Sequence, residues 1–387
     1  MLPTHSLIAL TGVLLLGLAA AYDAFIFIAM LVWQLRRTRI RLATSRPPVT
    51  LLKPLCGAEP ELYENLRSFC LQDYPTYQIV FGAHDAADPA VAIARQLARE
   101  FPALSIDVVI DNSLHGSNRK VSNLISMLRC ARHDILIIAD SDARVGRDYL
   151  SAVSSPLLDH AVGMVTCIYR RIPARDLWSR LGAMYINDWY MPSVLLAWLF
   201  GHRNYASGQT MGLRRDTLEA VGGLPAVVNL LADDFKLGEL VRGLGLQIVL
   251  SHYIPETVQE EQMASTLISH EVRWMRTIRA LAPAGYRFLF LSFTLPLQAA
   301  GFALTIADPG LAFRLLPLLW ATLICRVGVS SVPRLAQRRI PLSDLCLLPL
   351  RDLLLCWAWS RALFTSRVSW RGTEFDVGVR GVIRRSV

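Results

Sequence analysis

The sequence predicts an α/β domain held between apolar, membrane-spanning ends. Three observations carry this. Over residues 45–280, short apolar runs alternate with stretches of helical periodicity. Apolar residues make up 53% of the 387-residue chain, and their excess lies at its two ends. Charged and turn-forming residues fall directly after the apolar runs, where ligands of a parallel sheet bind.

Residues 6–33 are almost wholly apolar, broken by Tyr22 and Asp23, and are long enough to span a bilayer. No basic segment precedes them and no small-residue cleavage site follows, which favours an anchor over a cleaved signal. Arg36, Arg37, Arg39 and Arg41 come next, and the positive-inside rule places residues 42 onward in the cytoplasm. Val49-Thr50-Leu51-Leu52 reads as a strand ending at Lys53-Pro54, and Glu59 to Cys70 as a helix with Leu62, Leu66 and Phe69 on one face. Tyr77 to Phe81 is a second strand. Asp88-Pro89 opens a helix through Glu100, with proline at its first position. Ile106 to Ile110 is a third strand, Val121 to Arg132 a helix, and Ile135 to Ala139 a fully apolar fourth strand. Such runs imply a parallel sheet covered on both faces.

Residues 165–205 are rich in aromatics, including Tyr169, Trp178, Tyr185, Trp189, Tyr190, Trp198 and Phe200. They fit either core helices or a lipid-facing groove. Toward the C-terminus, 287–307 and 311–330 read as spans joined by an outer turn at Asp308-Pro309-Gly310, with Arg334, Arg338 and Arg339 cytoplasmic. Residues 342–364 carry Arg351 and Asp352 at their middle, and a charge at the bilayer centre costs roughly 3 kcal/mol. A re-entrant or interfacial hairpin is therefore expected there. The expected division is an anchor over 1–41, a cytoplasmic domain over 42–285, and membrane helices with a basic tail over 286–387.

The net charge of +9 suits an anionic membrane surface and an anionic substrate. Basic residues interleaved with aromatics are missing, so nucleic acid is not expected as a partner. Lysine stands only at 53, 120 and 236, the first two in motif regions. The cysteines at 56, 70, 130, 167, 325, 346 and 356 form no C-x-x-C pair, which argues against a disulfide framework or a zinc site.

Five motifs carry the chemistry. Asp140-Ser141-Asp142 ends the fourth strand, and carboxylates at i and i+2 can share one Mg²⁺ or Mn²⁺ with substrate phosphates; a simple turn cap is the alternative. Asp88 is either a helix N-cap or a donor-site carboxylate. In Gly116-Ser117-Asn118-Arg119-Lys120, a loop opening a helix, Asn118 and Lys120 suit a phosphate, or the loop is an ordinary connection. Asp233-Asp234 are adjacent carboxylates that push their pKa values apart if confined, so Asp234 suits a general base. They also suit the positive end of a helix. In His270-Glu271-Val272-Arg273-Trp274, Arg273 suits a diphosphate and Trp274 the wall of an acceptor site, or the segment is a basic helix on the membrane.

In this order the motifs resemble the D, D-x-D, D, Q/R-x-x-R-W signature of processive-type family 2 and ceramide glucosyltransferase-like family 21 glycosyltransferases. Val49 to Gly57, Asn65-Leu66, His84-Asp85, Asp88-Pro89-Ala90, Lys120-Val121, Asn123-Leu124, Gly208 to Leu213 and Arg371-Gly372 are similar to the ceramide branch, over roughly residues 45–375. Within it the chain looks like the bacterial hopanoid biosynthesis-associated enzymes. The resemblance implies a GT-A (nucleotide-diphospho-sugar transferase) fold and inverting transfer of N-acetylglucosamine from UDP-GlcNAc to a polyhydroxylated membrane lipid, bacteriohopanetetrol. A ceramide or other lipid glucosyltransferase using UDP-glucose is the alternative. It implies Asp234 as base, and Pro54, Gly57, Glu59, Asp88, Asn118, Lys120, Asp140, Arg273 and Trp274 at the donor. Asp142 and Asp140 would hold Mg²⁺ or Mn²⁺, at the cytoplasmic face of a bacterial inner membrane. Two departures stand out. His270 occupies the Gln/Arg position, and Asp142 completes a D-x-D that ceramide enzymes often shorten, which favours metal dependence.

Overall fold

The computed structural model describes residues 4–37, 45–59, 61–202, 206–259, 263–306, 308–336, 341–364, 367–370, 373–378 and 381–385. Arg39, Arg41, Arg338, Arg339, Arg371 and Gly372, used in the sequence argument, lie outside the described residues. The chain divides into two compact units, one of Arg39–Arg171, Gly201–Glu260 and Trp370–Val387, the other of Met1–Thr38, Ile172–Phe200 and Glu261–Ser369.

The first unit is built on strands β1 (Val49–Pro54), β2 (Tyr77–Ala83), β3 (Ser105–Ile110), β4 (Ile135–Ile138), β5 (Ala143–Arg144) and β6 (Val162–Cys167). After β7 (Arg170–Pro173) come β8 (Met211–Arg214), β9 (Gln247–Ser251) and β10 (Glu256–Gln259). Seven of them form one sheet in the order β3-β2-β1-β4-β8-β6-β9. The expected strands are all present, and β1 to β4 run parallel, with Val49 opposite both Tyr77 and Ile135. The sheet is mixed rather than parallel, because β8 enters antiparallel between β4 and β6, with Ile138 opposite Met211. That insertion brings the residues just before β8 beside those just after β4. β1, β2 and β4 are buried along almost their whole length, as strands covered on both faces must be.

Local signals place the helices. Leu62–Cys70 buries Leu62, Leu66 and Phe69. Pro89–Glu100 starts where expected, with the Asp88 carboxylate accepting from the Ala90 N–H. The third helix is Arg119–Leu128, two residues earlier than expected, because the Asn118 side chain caps it through the Val121 N–H.

The second unit is helical. Leu7–Arg36 and Pro309–Val332 are long and apolar enough to cross a membrane. The expected span 287–307 is not one straight helix. Pro283–Ser292 and Thr294–Thr305 meet at an angle of 64°, so among the described residues the candidate spans number two, or three if this bent pair is one. Phe293 leaves helical geometry with φ −92° and ψ 71°. Pro296 falls in the first turn of the new helix, where a missing N–H is not felt. Residues 342–364 are not a hairpin: a turn over Leu342–Leu347 leads into one helix, Leu348–Ala362. Several buried charges in these segments are paired. Asp23 accepts from Gln298 Nε2 at 3.0 Å, and Arg334 holds Asp188 at 2.6 and 2.9 Å. In the aromatic segment Tyr169, Tyr185 and Trp189 are buried, Trp178, Tyr190 and Trp198 are half-buried and Phe200 is exposed, so the segment serves both core and surface.

Candidate active site

The carboxyl ends of β1 and β4 build the site in the sheet unit. Asp140 stands two residues past the end of β4, and its carboxylate meets Lys120 Nζ at 2.5 Å. Lys120 reaches it from the first turn of the helix that Asn118 caps. Asn118 is fully buried and donates to the Leu230 carbonyl at 2.8 Å and to Asp233 Oδ1 at 3.2 Å. It thus ties the lysine loop to the segment carrying Asp233 and Asp234, the first residues of the helix Asp233–Gly243. Asp234 accepts from the Phe235 N–H at 2.7 Å and from the Gly208 N–H at 2.8 Å.

Gly208 is the meeting point. A Cβ there would lie 3.1 Å from Lys120 Nζ and 3.4 Å from one oxygen each of Asp140 and Asp234. Groups from two stretches of the chain, Lys120 and Asp140 in one and Gly208 and Asp234 in the other, therefore share one small space. Beside it, Gln209 Nε2 donates to Asp142 at 3.2 Å, while the buried Gln209 Oε1 has no hydrogen-bond partner among the described residues. Lys53, buried at the end of β1, lies 3.7 Å over the Phe69 ring and donates to the Asp140 carbonyl.

Burial and crowded charge set the proton affinities. Burial, then Asp233, push the Asp234 carboxyl up to about 6. Burial and Asp140 raise Asp142; burial raises Asp233, with Lys120 opposing. Burial alone would lower Lys120, but Asp140, Asp233 and Asp234 outweigh it and hold it well above the ordinary lysine value. Burial lowers Lys53 to about 7 against the pull of Asp142, Asp140 and Glu59.

The other residues expected at the donor fall in two places, the loops after β1 and β2 and a helix of the helical unit. Pro54 ends β1, and Gly57 follows in the left-handed region at φ 76°, which glycine adopts without strain. Its N–H lies 2.9 and 3.1 Å from the two Asp88 oxygens, so Asp88 fixes this loop as well as capping its helix. Glu59 accepts from Ser141 Oγ at 2.7 Å. Arg273 and Trp274 lie on the helix Ala264–Leu281 of the helical unit. There the Trp274 ring is 5.0 Å from Tyr185 and 6.2 Å from His270.

Carboxylates outnumber cations here, which suits a divalent ion. Among the described residues no three His, Cys, Asp or Glu side chains converge on one point. An ion held by Asp140 and Asp142 would have to keep water and share substrate oxygens, as Mg²⁺ does, rather than sit in a closed cage. Arg171 escapes sequence reading, and Gln209 enters it only as part of the run Gly208 to Leu213, with no role assigned. Arg171, buried in β7, acts on Asp142 and Tyr169 through its charge, yet its only sequence signal is a position after an apolar strand.

Comparison with known proteins fits this arrangement. Residues 16–383 match the model of glycosyl transferase family 21. Ceramide glucosyltransferase 1 of Caenorhabditis elegans is 23% identical over 243 residues, 61% of this chain and 51% of that protein. Ceramide glucosyltransferase 3 of the same organism is 21% identical over 359 residues, 89% of this chain and 76% of that protein. The match thus spans about half the length of the first relative. Among solved structures, mannosyltransferase PcManGT from Pyrobaculum calidifontis, in complex with GDP-Man and Mn²⁺, has a TM-score of 0.49 at 20% identity, covering 90% of this chain and 99% of its own. The α/β class expected from the sequence is the class the chain forms, with apolar helices at the N-terminus and toward the C-terminus.

Proposed function

Because the chain belongs to glycosyl transferase family 21, we propose that it moves one hexose from a nucleotide-diphosphate sugar to a lipid hydroxyl, with inversion. The observation carrying this is the convergence of Asp140, Lys120 and Asp234 on Gly208. A cation and a general base on either side of one glycine are what a diphosphate leaving group and an attacking hydroxyl require.

Asp234 takes the proton of the acceptor hydroxyl. The oxygen then bonds to the anomeric carbon as the bond from that carbon to the diphosphate oxygen breaks. One displacement gives the β-glycoside from an α-linked donor. Lys120 meets the charge gathering on the departing diphosphate, and Arg273 is assigned to the same group. Pro54, Gly57, Glu59 and Asp88 shape the nucleotide side, and Trp274 walls the acceptor. Asn118 holds Lys120 and Asp233 in register. Asp142 and Asp140 would hold Mg²⁺ or Mn²⁺, which supplies positive charge to the diphosphate.

The donor and acceptor proposed are UDP-GlcNAc and bacteriohopanetetrol, at the cytoplasmic face of a bacterial inner membrane. The resemblance in sequence supports this pair, and the basic flanks of the apolar segments support the orientation. The two ceramide glucosyltransferase relatives favour a second pair, UDP-glucose and ceramide. The test is UDP release by detergent-solubilised protein with Mg²⁺ across both donors and both acceptors. Turnover with UDP-GlcNAc and bacteriohopanetetrol is the expected result. Turnover with UDP-glucose and ceramide alone moves the function to sphingolipid synthesis, and no UDP release with any pair refutes the proposed transfer.

A further inference from the structure

The last apolar helix, Leu348–Ala362, carries two adjacent buried charges, Arg351 and Asp352. Each finds its partners on different elements. Arg351 grips Glu271 with both prongs, at 2.6 Å to Oε1 and 2.5 Å to Oε2, and donates to the Leu181 carbonyl at 3.0 Å. Its guanidinium lies 5.7 Å over the Tyr185 ring, and that ring is 5.0 Å from Trp274. Asp352 accepts from Arg326 at 2.6 Å and from the Leu295 N–H at 3.4 Å, reaching the helices Pro309–Ala336 and Thr294–Thr305.

Glu271 belongs to the run His270-Glu271-Val272-Arg273-Trp274, so the grip falls inside that motif. Two contacts converge on it: one holds Glu271 directly, the other backs Trp274 through Tyr185. Tyr185 itself opens a π-helical turn, Tyr185–Tyr190, a distortion that changes which residues face a neighbour. Well-packed apolar residues of similar volume often stabilise a fold at least as well as a buried ion pair. A fork-to-fork pair adds a fixed geometry that apolar packing lacks.

We propose that Arg351 is a positioning residue for transfer: through Glu271 and Tyr185 it fixes the rotation of the helix Ala264–Leu281 and so the aim of Arg273 and Trp274. This rests on the roles given to Arg273 and Trp274 above.

The test compares kcat and KM per folded molecule for two variants of the full-length protein in detergent. Arg351→Lys keeps the charge and loses the fork. Arg351→Met combined with Glu271→Gln removes the pair without stranding a charge. The double variant is expected to unfold within a few degrees of wild type while kcat falls about tenfold or more and donor KM moves little, with Arg351→Lys in between. A purely structural role would lower the unfolding temperature and leave both constants of the folded molecules unchanged, and that result overturns the proposal. If the double variant does not fold, Arg351→Lys decides alone by the same readout. Arg273→Ala separates the two failures. A low kcat for Arg273→Ala beside wild-type values for the Arg351 variants removes only the positioning role. Wild-type kcat for Arg273→Ala removes the role of Arg273, and the positioning role with it.

Discussion

Replacing Asp234 with asparagine separates two effects of this carboxylate. Its oxygens accept the Phe235 N–H at 2.7 Å and the Gly208 N–H at 2.8 Å. An amide offers one carbonyl oxygen, so one of those N–H groups loses its partner, at about 1–3 kcal/mol. Against this stands a gain. Burial and Asp233 raise the Asp234 carboxyl to about 6. Keeping it ionised at pH 7.5 costs the fold about 3 kcal/mol relative to an ordinary carboxyl. The amide carries no such cost, so the variant should be between equal to wild type and about 2 kcal/mol more stable at pH 7.5. The sign follows from the raised folded pKa. Ionisation opposes folding, fully above about 6, and the penalty fades as pH falls toward the ordinary carboxylate value. The variant's relative stability should therefore decline between pH 7.5 and pH 4.5. Turnover should fall by about 10²–10⁴ with UDP-sugar binding retained. Wild-type kcat/KM should itself drop about tenfold per pH unit below about 6. The assays are UDP release, equilibrium binding of the donor, and thermal unfolding at both pH values. Turnover within about tenfold of wild type, or loss of donor binding along with activity, refutes the base assignment. A stability difference that does not change with pH refutes the electrostatic account.

Asp142→Ala should raise the Mg²⁺ or Mn²⁺ concentration for half-maximal UDP release about tenfold or more, and an unchanged metal titration would remove Asp142 from the ion's shell. Gly208→Ala places a methyl 3.1 Å from Lys120 Nζ. It should cut kcat/KM about 10- to 100-fold while the unfolding temperature shifts only a few degrees, since the flexible lysine end can yield. Asn118→Ala removes a helix cap and the bonds to Leu230 and Asp233. It should destabilise the protein by about 2–3 kcal/mol in chemical denaturation.

Much was legible in the sequence because the signals were local. Alternating apolar runs marked β1 to β4, Asp88-Pro89 marked a helix start, and long apolar stretches marked the two candidate spans. The motif residues could be picked out because carboxylates and a lysine followed apolar strands. What no local pattern encodes is pairing. The antiparallel entry of β8 between β4 and β6 joins segments distant in sequence, and it alone sets Gly208 against Asp140. The break at Phe293 and the burial of Arg351 and Asp352 were illegible for the same reason. A charge in an apolar run looks costly until its partner is known, and Glu271 and Arg326 stand far off in the chain. The sequence by itself determined which acidic and basic residues follow the apolar strands and which stretches are apolar, since both are properties of neighbouring residues. Only the tertiary structure decided which groups meet, how strongly burial shifts their proton affinities, and which buried charges are satisfied, because each depends on contacts across the fold.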